Sequence, residues 1–471
     1  MEENIETGTK KGTPKAIIAI VGILVVVYLL GLIFFGSHYF FRTKIGGADY
    51  SLKSKTSVKK DIMSTDMDVD FILNGREDAS ATFNSHDVNM SYALDESLLS
   101  TDSDYVAALA WPKYIFVDNI LPFPIVVNYD KMDVRNNLVK NAMFDNATSI
   151  RPVDAYIGEY DSQKNEFHIV PDVQGNTLSM NATLNTLDEA LSQIELGDHE
   201  IVIDLDASGD YLKANLTGDS EIMSQALATA NRFVASDLLY TWNDKPVEIH
   251  GETIADWVIC NGSEVSLDED AINTFVKELA YENDTYGKPM MFMCNDGTER
   301  EIKRGGYGWK TDCAEETKAM IEAISAGNKE VRDPVYVSTG YVHGQNDVGP
   351  SYVEVNMTTQ HLWVYIDGEV VFDTDVVTGN MSNGNATPQG IFGITYKTKD
   401  AVLKGETYES HVKYWMPFNG NVGMHDATWR GAFGGVIFLT SGSHGCVNLP
   451  LSAAATIYDY VCDNFPVVCY Y

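Results

Sequence analysis

The sequence predicts an α+β multidomain chain: an N-terminal transmembrane helix, tandem α+β modules and a mainly-β C-terminal domain. Three observations carry this. Residues 16–35 form an uncharged apolar run, AIIAIVGILVVVYLLGLIFF. In the middle of the chain apolar residues recur twice at helical spacing, each time followed by a strand-like run. From Ser351 the pattern becomes an alternation of apolar and polar residues, the period of a half-buried strand. A length of 471 residues exceeds what one core usually organises, and an apolar share of 45% is that of a folded chain.

The apolar run has about the 20 residues a helix needs to cross a bilayer. A cleaved export signal would have a shorter apolar core and small residues at its end, where Phe34, Phe35, His38 and Tyr39 stand instead. An uncleaved single-pass anchor over 16–36 is expected. Lys10, Lys11 and Lys15 precede it, and Arg42 and Lys44 follow it. The charge balance thus leans toward a cytoplasmic tail at 1–15 with the remainder outside. The net charge of −34, from 33 basic and 67 acidic residues, argues against nucleic acid as a partner. Six cysteines are few for a disulfide scaffold of this length; Cys294 with Cys313, or Cys462 with Cys469, could pair outside the cell.

After the anchor comes a β-rich region, with strands expected at VDFIL (69–73) and within YIFVDNILPFPIVV (114–127). A first strand–helix–strand unit begins at Phe167. Its helix carries Leu184, Leu187, Leu191 and Ile194 on one face, and the strand EIVIDL (200–205) follows. The second unit repeats the spacing at Ile272, Phe275 and Leu279, between ADWVIC (255–260) and PMMFMC (289–294), with Ser266 and Glu269 as a capping box. Domain boundaries are expected at 37–245 and 246–345. GGYGW (305–309) reads either as a strand connector or as an aromatic surface for sugars or peptides. A helix over 314–326 ends at Gly327, and the Gly/Asn/Asp-rich stretch 340–350 reads as a linker.

The last domain, 350–471, opens with WVYI and EVVF flanking Asp367-Gly368, a two-residue hairpin signal. His361 and His411 read as strand or surface histidines and Trp363 as part of the β core. A final helix over 451–464 aligns Leu451, Ala455, Tyr458 and Cys462, which places Cys462 in the core. Cys260, Cys294 and Cys469 lie in apolar strand-like runs.

The chemistry concentrates in GMHDATWRGAFGGVIFLTSGSHGCVNLP (423–450). A thiol becomes an effective nucleophile as thiolate, and a nearby imidazole can lower its pKa and later shuttle the proton. His425 lies one strand and one turn upstream of Cys446, so two adjacent strands could join them. Backbone N–H groups near Gly445 and Cys446 could form an oxyanion hole. A zinc site of His425, His444 and Cys446 lacks a fourth ligand at short spacing, so neither metal nor cofactor is expected.

The run from His425 through Ser443-His444-Gly445-Cys446-Val447-Asn448 resembles the signature of the L,D-transpeptidase (YkuD) catalytic domain. Gln360 with its hairpin, Thr378-Gly379, the stretch from Thr387 to Phe392, and Tyr414-Trp415-Met416 extend the resemblance over about 350–471. More loosely, residues from about 120 to 335 resemble the peptidoglycan-binding modules that precede this domain in many Gram-positive enzymes. The resemblance implies that Cys446 attacks a stem tetrapeptide after its third residue. D-Ala leaves, and an amine of a neighbouring stem resolves the acyl-enzyme into a 3→3 cross-link. By position, His425 is the general base and the Asp426 carbonyl orients it. Ser443, His444, Gly445 and Asn448 shape the pocket and oxyanion hole, and Tyr414, Trp415 and Met416 line a substrate groove. The implied partners are stem peptides, glycan strands and the membrane, with carbapenem-type β-lactams as covalent inhibitors. The implied location is the cell membrane, with the catalytic domain in the wall. An L,D-carboxypeptidase would share the same acyl-enzyme, with water as acceptor. A sortase-like enzyme would place an arginine after the cysteine, and no Arg or Lys follows Cys446. A non-catalytic wall-binding scaffold would not need both His425 and Cys446.

Overall fold

A computed structural model describes residues 14–63, 68–95, 104–122, 124–194, 198–405 and 409–471. Most of the expected tail, 1–13, lies outside the described residues. The chain divides into two compact units, one of Met1–Ala155 with Pro171–Thr217, the other of Tyr156–Val170 with Gly218–Tyr471.

The first unit begins with α1 (Pro14–Ser37). Within it Ala16–Ser37 has a mean hydropathy of 3.2 over its most apolar window and is long and apolar enough to cross a membrane. The unit's sheet centres on β1 (Asp70–Asn74), antiparallel to β2 (Ser80–Asn84). Helix α2 (Met180–Ser192) buries Leu184, Leu187 and Leu191 with Phe71, Leu73 and Phe83. It leads to β3 (Glu200–Asp204), which joins β1 in parallel. The first strand–helix–strand unit read from the sequence is therefore divided. Its helix and second strand belong here, whereas Ile169–Val170 belongs to the other unit. The stretch 114–127 is also not all strand: Trp111–Ile115 forms a 3-10 turn, strands occupy Asn119–Leu121 and Ile125–Asn128, and Phe123 lies outside the described residues.

The second unit starts its main run with α3 (Glu221–Val234) and β4 (Asp237–Trp242), which pairs with β5 (Lys245–Ile249). The boundary expected after residue 245 thus falls inside a hairpin. A second hairpin, β6 (Val258–Asn261) and β7 (Glu264–Leu267), leads into α4 (Glu269–Asn283). Pairing in β7 runs through Leu267, so Ser266 is a strand residue and the expected capping box does not form. Asp268 caps α4 instead, accepting the N–H of Ala271 at 2.9 Å. A third hairpin, β8 (Pro289–Met293) and β9 (Glu299–Lys303), precedes α5 (Cys313–Ala326). α5 ends at left-handed Gly327 (φ 74°), and β10 (Lys329–Arg332) then joins β4 in parallel.

GGYGW is a connector. Tyr307 and Trp309 are buried, donating to the carbonyls of Asp347 (2.6 Å) and Val342 (2.8 Å). The stretch 340–350 is not a free linker. Asp347 is fully buried, accepting from Arg304 Nε at 3.0 Å and from Thr285 Oγ1 at 2.5 Å. Burial pushes the Asp347 carboxyl upward, while Thr285 and Arg304 pull it back. Gly305 packs against Phe392, whose ring would stand 2.2 Å from a Cβ at that position.

The C-terminal part holds two sheets. The larger runs in the order β13 (Glu369–Asp375), β12 (His361–Ile366), β11 (Tyr352–Asn356), β19 (Pro466–Tyr470), β14 (Gly390–Gly393). The smaller runs β15 (Thr398–Lys404), β16 (Glu409–Asn419), β17 (Val422–Asp426), β18 (Val447–Leu449). Val353, Leu362, Met416, Met424 and Val447 of the two sheets share one core with Ala454 and Ile457 of α7 (Leu451–Tyr460), which follows the one-turn α6 (Ile437–Ser441). The β12–β13 turn forms at Asp367 (φ 50°) and Gly368 (φ 84°), the left-handed pair that this hairpin needs. Two expectations fail here. α7 stops at Tyr460, so Cys462 lies beyond the apolar stripe and is exposed. Trp363 is only half-buried, beside His361. All six cysteines are free thiols.

Candidate active site

Parallel pairing of β17 with β18 builds the site, with His425 opposite Asn448 and Met424 opposite Val447. Cys446 directly precedes β18 and lies two residues before Asn448. The period of two gives both side chains the face that His425 uses. The turn before Cys446 is tied from several directions. The Ser443 hydroxyl accepts the Gly445 N–H (3.1 Å) and donates to the Cys446 carbonyl (2.5 Å). Gly445 takes φ 120°, a conformation that a side chain would strain. Thr387 donates to the Gly445 carbonyl (2.7 Å) and accepts the Gly379 N–H (2.9 Å). Asn380 N–H bonds the Ser443 carbonyl (2.9 Å). Thr387→Val should leave two buried backbone groups without this partner, costing about 1–3 kcal/mol. Thermal unfolding of the variant would measure the loss, and an unchanged melting temperature would contradict this role.

His425 is 4% exposed. Its Nδ1 lies 2.8 Å from the Asp426 carbonyl, and its Nε2 lies 3.0 Å from the Asn448 side-chain amide. Those partners assign the proton to Nδ1 and the lone pair to Nε2. Asn448 Oδ1 accepts from Arg430 Nε at 2.8 Å, and Arg430 Nη1 bonds the Ser441 carbonyl at 2.8 Å. The Asp426 carboxylate accepts the backbone N–H groups of Lys413 (2.7 Å) and Tyr414 (2.8 Å). It thereby secures β16, while its backbone carbonyl holds the imidazole. Trp415 and Trp429 each place a ring 5.9 Å from the imidazole.

The Cys446 sulfur donates to the Asn421 carbonyl at 3.6 Å. Burial pushes this thiol up to about 11, a backbone contact at Gly423 acting the other way. Burial likewise lowers His425, opposed by its bond to the Asp426 carbonyl and by the Asp426 charge, and reinforced by Arg430. Both shifts favour the uncharged thiol and the uncharged imidazole. Alkylation of Cys446 by iodoacetamide should therefore rise about tenfold per pH unit from pH 7 to pH 9, as the thiolate fraction does below a raised pKa. Peptide-level mass spectrometry would separate Cys446 from the other cysteines. A rate already flat at pH 7 would show a resting thiolate instead.

The pocket over the sulfur encloses about 170 Å³ and is lined by His425, Ser443, His444, Cys446 and Asn448, together with Leu403, Ser410, Trp429, Arg430 and Gly442. Trp429 (53% exposed) and Arg430 are additions to the residues expected from the sequence, although an aromatic–cation pair inside the chemistry-bearing run is a usable signal. The expected groove along 414–416 is corrected. Met416 is fully buried in the core and Trp415 nearly so, because both faces of β16 are covered there; Tyr414 packs on Tyr458. A larger cavity of about 620 Å³ in the first unit, bordered by Ile120, Tyr129, Asp188 and Leu191, contains no thiol or imidazole. Among the described residues no group of three or more His, Cys, Asp or Glu side chains could hold a metal ion.

Residues 350–469 match the family described as the L,D-transpeptidase catalytic domain, YkuD, and residues 219–332 match one described as a peptidoglycan binding domain. The class is thus an L,D-transpeptidase catalytic domain preceded by a domain that matches this second family. A crystal structure of a cysteine-to-serine mutant of Enterococcus faecium L,D-transpeptidase is 31% identical over 52% of this chain and 100% of its own, with a TM-score of 0.45. The Ldtfm–avibactam carbamoyl enzyme is 31% identical over 53% of this chain and 99% of its own (TM-score 0.45). The E. faecium catalytic domain acylated by ertapenem is 40% identical over 26% of this chain and 98% of its own (TM-score 0.25). A comparison with curated proteins gave no match. With the whole of a solved relative covered at this identity, the chain belongs to the L,D-transpeptidase family.

Proposed function

We propose that the protein forms 3→3 peptidoglycan cross-links through an acyl-enzyme on Cys446. The observation that carries this reading is the β17–β18 register, which sets Cys446 and a carbonyl-tethered His425 on one face over a pocket. The stem tetrapeptide enters past Trp429. The thiol turns from the Asn421 carbonyl toward Nε2, and Asn448 yields that nitrogen. His425 takes the S–H proton while sulfur bonds the carbonyl carbon of the third residue. Amides around Gly445 and Cys446 stabilise the oxyanion. The C–N bond to D-Ala then breaks, and the imidazolium returns its proton to the departing amine, leaving a thioester. An amine of a second stem attacks the thioester, gives a proton to His425 and frees the thiol. Ser443 and His444 shape the pocket.

In the same reading α1 is an uncleaved single-pass anchor, the catalytic domain works in the cell wall, and residues 219–332 hold wall polymer near the site. The contribution to the cell is wall biogenesis. Cys446 is also the proposed site of carbapenem acylation, as the ertapenem-acylated relative suggests.

The test incubates the full-length protein in detergent with a disaccharide-tetrapeptide and follows products by mass spectrometry. A cross-linked dimer with loss of D-Ala is expected. Tripeptide without dimer would replace this reading with an L,D-carboxypeptidase. Folded protein that releases no D-Ala would overturn both.

A further inference from the structure

The stretch 104–117 plays no part in the chemistry, yet it exposes a run of large apolar side chains: Val106, Leu109, Ile115, Val117 and Phe116, the last 81% exposed. It folds as a short helix, Asp104–Ala108, and the 3-10 turn Trp111–Ile115, and both pack along α1. The Trp111 ring stacks on Phe35 (5.4 Å) and Tyr28 (6.4 Å). The contacts are reciprocal. Tyr28 OH donates to the Leu109 carbonyl (3.0 Å), and Trp111 Nε1 donates to the Tyr28 carbonyl (3.3 Å). Gly31 permits the approach, since a Cβ there would stand 2.4 Å from the indole.

The depth of this contact matters. At 1.5 Å per residue Tyr28 lies about 14 Å from the end of α1 at Ser37. Half the hydrocarbon thickness of a bilayer is about 15 Å. The Leu109 end therefore reaches most of one leaflet deep. At the Ser37 end Tyr114 stacks on Phe40 (4.5 Å), Lys113 is exposed, and Arg42 pairs with Asp118, a set of aromatic and charged groups suited to the headgroup level. Backbone groups bond locally: Leu109 to Val106, Ala110 to Ala107, Lys113 to Ala110, Phe116 to Lys113. These bonds satisfy part of the segment's backbone from within, the direction that hydrocarbon demands of the polar groups it contains.

We propose that 104–117 is a second membrane element, a wedge re-entering the outer leaflet beside α1, with lipid acyl chains covering its exposed apolar face. The proposal rests on the reading of α1 as a membrane span. The test reconstitutes the full-length chain into phosphatidylcholine/phosphatidylglycerol vesicles containing a lipid with a photoactivatable group on its acyl chain, and maps adducts by mass spectrometry. Adducts on both 16–37 and 106–117 are expected. Adducts on 16–37 alone would overturn the wedge and leave the anchor standing; adducts on neither would overturn the anchor. Gly31→Leu, which displaces Trp111 while keeping the span apolar, should cut adducts on 106–117 at least fivefold. Phe116→Asp, at a position where the fold is not challenged, should do the same. Adducts at the original level in both variants would overturn the wedge.

Discussion

Cys446→Ala is expected to abolish D-Ala release and cross-link formation, a loss on the order of 10⁴-fold or more, as when the nucleophile of a concerted catalytic group is removed. His425→Ala should lose nearly as much, and the double variant little more than either. Thiol and imidazole act on one proton in one step, so their effects do not add. Mass spectrometry of products from the disaccharide-tetrapeptide would measure all three. The melting temperature of Cys446→Ala should change little, because the sulfur makes only long, weak contact with the backbone, 3.6 Å to the Asn421 carbonyl. D-Ala release by Cys446→Ala above about 1% of the parent rate would remove Cys446 from the chemistry.

Arg304→Met should destabilise the fold more than Thr387→Val does. Arg304 is 3% exposed and Asp347 not at all, so the substitution strands a carboxylate in the interior. Breaking a buried pair in this way costs about 3–5 kcal/mol. The pH dependence has a defined sign. Burial already pushes the Asp347 carboxyl up, and losing the guanidinium removes an opposing influence. In the variant the folded state binds a proton that the unfolded chain has released, so stability falls as pH rises above the ordinary carboxylate range. The deficit relative to the parent should be largest near neutrality and shrink toward pH 4. Thermal melts of both proteins across that range would measure it, and a deficit constant with pH would contradict the assignment to Asp347.

Local signals in the sequence are reliable where the structure is local. The apolar span, the Asp367-Gly368 hairpin and the helix closed by Gly327 all follow from neighbouring residues. So does the neighbourhood of His425 on β17 and Cys446 just before β18, two strands that pair side by side. What escapes is long-range. β3 pairs with β1 in parallel across more than a hundred residues, so a unit that looks contiguous is divided. A parallel partner leaves no hairpin and hence no turn residue to read. Asp347 resembles part of a polar linker because its partners, Arg304 and Thr285, lie far upstream. The resemblance puts Met416 in a substrate groove, but β16 is covered on both faces around that residue, which a motif does not reveal. The thiol and imidazole are legible from motif spacing, whereas the Asn421 carbonyl that holds the sulfur has no side-chain signature at all.

The Asn421 carbonyl has a consequence for durability. Peroxide and other oxidants attack cysteine as thiolate, along the ladder from sulfenic to sulfonic acid. A thiol held protonated against a carbonyl, and raised by its surroundings, presents little thiolate while it waits. On the proposed outer side of the membrane, away from the reductants of the cytoplasm, a permanently activated sulfur would be consumed between turnovers. Under the proposed mechanism the proton leaves only as the substrate arrives, which would confine that exposure to the moments of catalysis.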